Sequence, residues 1–186
     1  MNRDNALELV KKYNNDESHI RHALAVEATM RYFANKYGGD ADVWGVVGLL
    51  HDIDWEMTMA EPAKHCNVAP AILRENGVSE EYIRAVQAHG YGICTDVKPE
   101  SMMERVLFTI DELTGLIITA GLVRPSKSLQ DLELKSVKKK WKDKAFARGV
   151  NREIIEMGAT MMESTIDEVI EGTIMALRPV EKEIGF

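Results

Sequence analysis

The sequence has few cysteines, prolines and aromatic residues, and it contains no long apolar run. Its two cysteines, Cys66 and Cys94, form neither a CxxC pair nor another zinc-type spacing, so the sequence does not indicate a cysteine zinc site. We interpret them as reduced, structurally passive thiols. Cys66 follows a histidine, but neighbours on a helix point about 100° apart, so adjacency alone does not place the thiol at a site.

Long hydrophobic segments are also missing. The longest apolar stretch, residues 43–50, contains Gly45 and Gly48 and is much shorter than the roughly 20 residues that span a bilayer. Charged residues interrupt the first 13 positions, so we do not expect a secretory signal. We therefore expect a cytoplasmic location. The net charge of -7 argues against binding to duplex nucleic acid or to an anionic membrane, but leaves a small substrate open.

The pattern of apolar residues predicts an all-α protein. With 186 residues the chain is long enough for one well-buried core, and apolar positions recur every three or four residues with no clear strand. We therefore predict one domain over 1–186, a helical bundle in which Gly45 and Gly48 allow neighbouring helices to approach closely. The predicted helices lie near 2–13, 16–36, 43–51, 62–76, 79–89, 100–120, within 128–146, and 152–177.

One apolar helix ends in two adjacent polar residues, His51 and Asp52. Polar groups at the end of a buried helix cost free energy unless they are paired, and a bound metal ion would offset that cost. Taken alone, the pair fits equally well a buried histidine that donates to a carboxylate or a carbonyl. The other ligand-type residues must therefore decide between these interpretations.

All five histidines lie in the first half of the chain. His22 shares a helical line with apolar residues and is predicted to point inward, whereas His19 is expected at the surface or behind the ligands. His65 and His89 lie at helix ends, where an ordinary interaction with the helix dipole is an alternative. Asp111 interrupts the apolar line of a later helix, where a carboxylate needs a cation or strong donors.

The order His22, His51-Asp52, Asp111 resembles the signature of the HD-domain metal-dependent phosphohydrolases. His65 and His89 match the members of that family that hold two metal ions. The resemblance covers about residues 17–122, including the segment 110–117. It implies an HD-type helical bundle in which 17–122 form the metal-binding core and 123–186 a helical C-terminal extension. That extension resembles bacterial and archaeal HD proteins of unassigned substrate.

Four histidines and two carboxylates form a mixed nitrogen and oxygen donor set. Such a set suits Fe, Mn, Zn, Ni or Co, with Mg as an alternative. A carboxylate has two oxygens, so Asp52 is the expected bridge between two ions, in agreement with the resemblance. The expected ligands are His22, His51, Asp52 and Asp111 for one ion, and Asp52, His65 and His89 for the other.

Ions at such a site generate a hydroxide and neutralise phosphoryl oxygens. We therefore expect hydrolysis of a phosphate ester or anhydride in a nucleotide or small phosphometabolite. Besides Asp52, the candidate catalytic groups are Asp54, Glu56 and Lys64, which lie close to the ligands in sequence. The sequence departs from the nucleotidase members of the family, because Trp55 stands where those proteins have a catalytic acid.

The segment 127–152 holds nine basic residues against three acidic ones. A solvated helix face is the first interpretation. The functional alternative is that Lys138, Lys142 and Arg148 bind substrate phosphate. Two other functions remain open: a di-iron oxygenase on the same scaffold, and a non-catalytic nucleotide sensor that contacts a partner through this basic segment. The sequence also leaves a homo-oligomer open.

Overall fold

Side chains at helix N-termini determine where most of the long helices begin. The computed structural model describes residues 1–186. Asp16 accepts from the backbone N–H of Ser18, and Asp40 does the same for the start of the third helix. Ser101 forms a reciprocal capping box with Glu104. These caps lie at or next to the positions that the sequence pattern predicts.

The all-α prediction is confirmed: ten α-helices form, and the only β-type pairing is an isolated bridge between Tyr91 and Thr95. The helices are α1 (Arg3–Tyr13), α2 (Glu17–Tyr37), α3 (Ala41–Leu50), α4 (Trp55–Thr58), α5 (Ala69–Glu75), α6 (Glu80–His89), α7 (Met102–Leu122), α8 (Leu134–Trp141), α9 (Arg152–Met161) and α10 (Ile166–Leu177). Short 3₁₀ turns cover Pro62–Lys64 and Arg178–Val180.

Two predicted helices are wrong in their extent. The segment 62–76 becomes a 3₁₀ turn and an irregular stretch before α5, because its backbone N–H groups bind the buried carboxylate of Asp54. The segment 152–177 divides into α9 and α10. Glu163 there has a positive φ of 54°, and Thr165 and Glu168 form a capping box that starts a new helix.

The long helices α2 and α7 lie at the centre of the bundle. Their apolar residues share one buried cluster with α8, α9 and α10, so the C-terminal helices pack into the same core as the N-terminal ones. A second cluster joins α1, α3, α5 and α6. Gly48 allows the close contact of α3 with α2, since a Cβ there would lie 3.1 Å from the backbone of Glu27. The predicted close approach is therefore present.

The packing brings four helices together at one end of the bundle. The first turns of α2, the C-terminal ends of α3 and α6, and the middle of α7 meet there. No helix combines the length and the hydropathy that crossing a membrane requires. The metal-ligand candidates that the sequence pattern singles out lie at this end of the bundle, namely His22, His51, Asp52, His65, His89 and Asp111.

Candidate metal centre

Two histidines have one ring nitrogen committed to the backbone. His51 directly follows α3 and is fully buried, and its Nδ1 lies 2.8 Å from the carbonyl oxygen of Gly48. His89 ends α6, and its Nδ1 lies 2.5 Å from the carbonyl oxygen of Val86. A carbonyl oxygen only accepts, so each Nδ1 carries the hydrogen and donates. The Nε2 atoms are therefore free to bind a metal through their lone pairs.

The Nε2 atoms of four histidines face one another in two pairs. The Nε2 atoms of His22 and His51 are 3.2 Å apart, and those of His65 and His89 are 3.3 Å apart. His65 donates from Nδ1 to Asp54, so its Nε2 also presents a lone pair. Two lone pairs at this distance repel unless a proton or a metal ion lies between them.

Two carboxylates complete these pairs. Oδ1 of Asp52 lies 3.2 Å from Nε2 of His65 and 3.3 Å from Nε2 of His89, while Oδ2 lies 3.4 Å from Nε2 of His51. Oδ1 of Asp111 lies 2.9 Å from Nε2 of His22. The two oxygens of Asp52 thus face different histidine pairs, which is the arrangement that a bridging carboxylate needs.

The distances and the donor types fit metal ions. Ligands about 2.0–2.1 Å from a tetrahedral ion lie about 3.3 Å from one another, close to the separations seen here. The residues form three groups that could hold a metal ion: His22, His51 and Asp111; His51, Asp52 and His89; and His65, Cys66 and His89. Imidazole nitrogen and carboxylate oxygen together suit a transition metal.

The electrostatics of the cluster also favour bound positive charge. Burial alone lowers the pKa of His51, but Asp52 and Asp111 outweigh it and raise that pKa well above its usual range. In the same way, burial opposes the charged form of His65, yet hydrogen bonds to Asp52 and Asp54 raise its pKa to about 10. The carboxylates therefore stabilise cations at this position, whether these are protons or metal ions.

Asp54, a predicted catalytic residue, lies behind His65 and does not line the cavity. Its side chain is fully buried and accepts from Nδ1 of His65 at 2.8 Å. It also accepts from the backbone N–H groups of Cys66, Val68 and Ala69. This carboxylate orients an imidazole and holds the irregular segment around itself, so its geometry is that of a positioning residue.

The other two predicted catalytic side chains point elsewhere. Glu56 accepts from the backbone N–H groups of Asn15 at 2.7 Å and Asp16 at 2.5 Å, so it links α4 to the start of α2. Lys64 pairs with Glu61 at 2.7 Å and is largely exposed. Neither side chain lines the cavity at the cluster.

A cavity of about 520 Å³ opens beside the cluster. No Lys or Arg lines it. Lys138, Lys142 and Arg148, which the sequence suggested as phosphate ligands, are exposed and outside the lining, and Lys138 pairs with Asp167 at 2.6 Å. The residues that line the cavity are Asp16, Ser18, His19, His22, Asp52, Trp55, Pro62, His65, His89, Gly90, Ile93, Cys94, Phe108, Asp111, Glu112, Gly115, Gly149, Val150 and Ile154.

Sequence reasoning did not identify Glu112, which lines the cavity beside Asp111. The pKa of Glu112 is raised to about 7, mainly by burial and secondly by the charge of Asp111. Its Oε2 accepts from the backbone N–H of Asn151 at 3.1 Å. The only signal in the sequence was adjacency to Asp111. This signal is weak, because one residue along a helix changes the direction of a side chain by about 100°.

His19 lines the cavity beside the proposed ligands. It is buried, its Nε2 lies 3.3 Å from the backbone oxygen of Asp52, and its ring is nearly parallel to that of Trp55. Burial lowers the pKa of His19, which favours the neutral ring.

A comparison of the chain with models of known protein families finds no match.

Proposed function

We propose that the protein is a metal-dependent phosphohydrolase of the HD type, with His22, His51, Asp52 and Asp111 holding one ion and Asp52, His65 and His89 a second. The observation that carries this proposal is the pair of facing imidazole sets that share the two oxygens of Asp52. A pair of divalent ions at such a site activates water and neutralises the oxygens of a phosphoryl group.

The residues of the cavity wall suggest how a substrate is bound next to the metal ligands. Trp55, Phe108, Val150 and Ile154 form an apolar side next to the ligands. Apolar walls exclude water and strengthen electrostatic interactions at the reacting group. Glu112 faces the same space and can accept a hydrogen bond from a hydroxyl or amino group of the substrate.

The charge of the lining narrows the substrate class. Four carboxylates line the cavity, namely those of Asp16, Asp52, Asp111 and Glu112, with no Lys or Arg. Two divalent ions would balance these charges when Glu112, whose pKa is raised to about 7, is ionised, so little excess positive charge remains for further phosphates. We therefore propose a substrate with a single phosphoryl group and an uncharged or cationic organic part. Polyphosphates such as nucleoside triphosphates should be poor substrates.

The test is phosphate release from matched mono-, di- and triphosphates by protein loaded separately with Fe, Mn, Zn, Ni, Co or Mg. Turnover of monophosphates that Asp52→Asn abolishes supports the proposal. Faster turnover of triphosphates contradicts the substrate class but not the hydrolase. The absence of phosphate release with every metal and substrate contradicts the hydrolase itself.

The histidine-rich donor set also suits iron, so a di-iron oxygenase is the second candidate function. Substrate-dependent oxygen consumption by iron-loaded protein without phosphate release would support it. Tight nucleotide binding without turnover under any metal would instead indicate a sensor.

A further inference from the structure

The two cysteines, which the sequence spacing left unconnected, meet above Gly90. A Cβ atom added to Gly90 would lie 2.5 Å from Sγ of Cys94 and 2.7 Å from Sγ of Cys66. The two sulfurs are therefore no further apart than the sum of those distances. Any larger residue at position 90 would push the sulfurs away, so the glycine is what allows both thiols to occupy this space.

Cys66 has an unusual backbone conformation for a cysteine. Its φ is 62°, in the left-handed region where a Cβ causes strain and where glycine or asparagine is more common. The carboxylate of Asp54 accepts from its N–H and holds this conformation. A glycine would meet the backbone requirement without strain, so a side chain at this position suggests that the thiol itself is used.

The two thiols differ in accessibility. Cys66 is fully buried, whereas Cys94 is half-buried and lines the cavity. Its backbone is held in place, because its carbonyl oxygen accepts from Nδ2 of Asn67 at 2.8 Å. A small oxidant that enters the cavity therefore reaches the sulfur of Cys94 first, with the sulfur of Cys66 behind it.

We propose that Cys94 and Cys66 form a hydroperoxide-responsive pair, in which Cys94 is oxidised and Cys66 resolves it to a disulfide. The Cys94 thiol gives up its proton and the thiolate attacks the peroxide; the O–O bond breaks, one oxygen stays on sulfur as a sulfenic acid, and the other takes up that proton and leaves as water or alcohol. The Cys66 sulfur then attacks Cys94; the S–S bond forms, the S–O bond breaks, and water leaves. The thiols lose two electrons, which the hydroperoxide accepts.

The disulfide would link two segments of the metal centre. Cys66 follows His65, and Gly90, against which both sulfurs pack, follows His89. Sγ of Cys66 now lies 3.6 and 3.7 Å from the two ring nitrogens of His89, in contact with the imidazole. The bond to Cys94 would draw this sulfur toward the cavity wall, so oxidation would be sensed directly beside two of the proposed ligands.

The test is treatment of the purified full chain with hydrogen peroxide, followed by unfolding, alkylation and mass spectrometry. The expected product has lost two hydrogens, yields a peptide that links Cys66 to Cys94, and returns to two free thiols with dithiothreitol. In Cys66→Ala, Cys94 has no resolving thiol and is expected to proceed to the sulfinic acid.

Cys94→Ser provides the second control and is expected to leave Cys66 as a free thiol at the same peroxide dose. Three results in the wild-type protein would overturn the proposal: both thiols remain free while other residues oxidise, Cys94 becomes a sulfinic acid beside a free Cys66, or Cys94 links two chains. None of these readouts depends on activity.

Discussion

Nδ1 of His65 donates a hydrogen bond of 2.8 Å to Oδ1 of Asp54, a carboxylate that is fully buried. Such a partner sets the tautomer and orientation of a metal-binding imidazole and raises its basicity. We expect Asp54→Asn to weaken binding of the second ion by about 10–100-fold, with little effect on the first. Competitive titration with a chromogenic chelator measures both constants.

The matched control is Glu56→Gln, two residues further along the chain. Glu56 contacts backbone N–H groups of Asn15 and Asp16 and no histidine, so its variant should retain the affinity of both ions. Equal effects of the two substitutions would contradict the positioning role of Asp54.

Single ligand substitutions should separate the two ions. Asp52→Ala is expected to lose both, because its oxygens face both histidine pairs. His65→Ala or His89→Ala should lose only the second ion. Metal analysis by mass spectrometry, on protein purified without chelators, gives the stoichiometry.

His19→Gln serves as the control for these ligand variants, because the His19 ring contacts the backbone oxygen of Asp52 and none of the side-chain atoms proposed to bind metal. Its metal content should equal that of the wild type. Full metal content in both Asp52→Ala and His65→Ala would show that the ligand assignment is wrong.

Removal of the charge on Glu112 should favour anion binding in the cavity. This carboxyl lines the cavity beside Asp111, and above about pH 7, where it is ionised, it repels a phosphate ion held at the metals. We expect Glu112→Gln to bind inorganic phosphate about two- to tenfold more tightly, as measured by calorimetry on metal-loaded protein. The exposed Glu153→Gln is the control, and unchanged or weaker phosphate binding by Glu112→Gln would argue against this electrostatic role.

The contact of α9 with α7 depends on Gly158. A Cβ at this position would lie 2.0 Å from Oγ1 and 3.1 Å from Cα of Thr109. Because backbone cannot move aside easily, Gly158→Ala should lower the free energy of unfolding by about 1–3 kcal/mol. Urea denaturation measures the change.

Gly115→Ala is the matched control in α7. Its added Cβ would meet nothing closer than Val150 at 4.0 Å, and alanine favours the helix by about 0.5–1 kcal/mol. Unfolding free energy should therefore rise in this variant. Loss of similar size in both variants would contradict the packing argument.

The stability of the protein should fall in acid partly through Glu104. Burial by itself raises the pKa of this carboxyl, but hydrogen bonds from Arg84 and from the N–H groups of Glu100 and Ser101 lower it below its ordinary value of 4.5. A lowered folded-state pKa contributes stability above the unfolded value, and this contribution is lost as the pH falls through the folded value.

Glu104→Gln should therefore lose about 1.5–3 kcal/mol of unfolding free energy at about pH 7 and less at about pH 3. Urea titrations at the two pH values provide the measurement. The exposed Glu75→Gln, in α5, should change neither value by much. A loss for Glu104→Gln that is independent of pH would exclude the electrostatic explanation.

Local sequence signals determined the helical class of this protein, the starts of α2 and α3, and the inward direction of His22. These features depend on residues within one or two turns of each other: the three- and four-residue spacing of apolar side chains and the capping oxygens of Asp16 and Asp40. The same signals do not report contacts between distant segments. The irregular stretch before α5 shows the limit, because it forms around Asp54, a residue from another segment.

Only the tertiary structure decided which polar side chains face the cavity. Asp54 and Glu112 are both acidic neighbours of ligands in sequence, yet one is buried behind His65 and the other lines the cavity. The same holds for the cysteines, which meet because α6 ends in a glycine turn against the segment after His65. The direction of a side chain along its own helix follows from the helical period, but its partner depends on how the helices pack against each other, which is a property of the whole core.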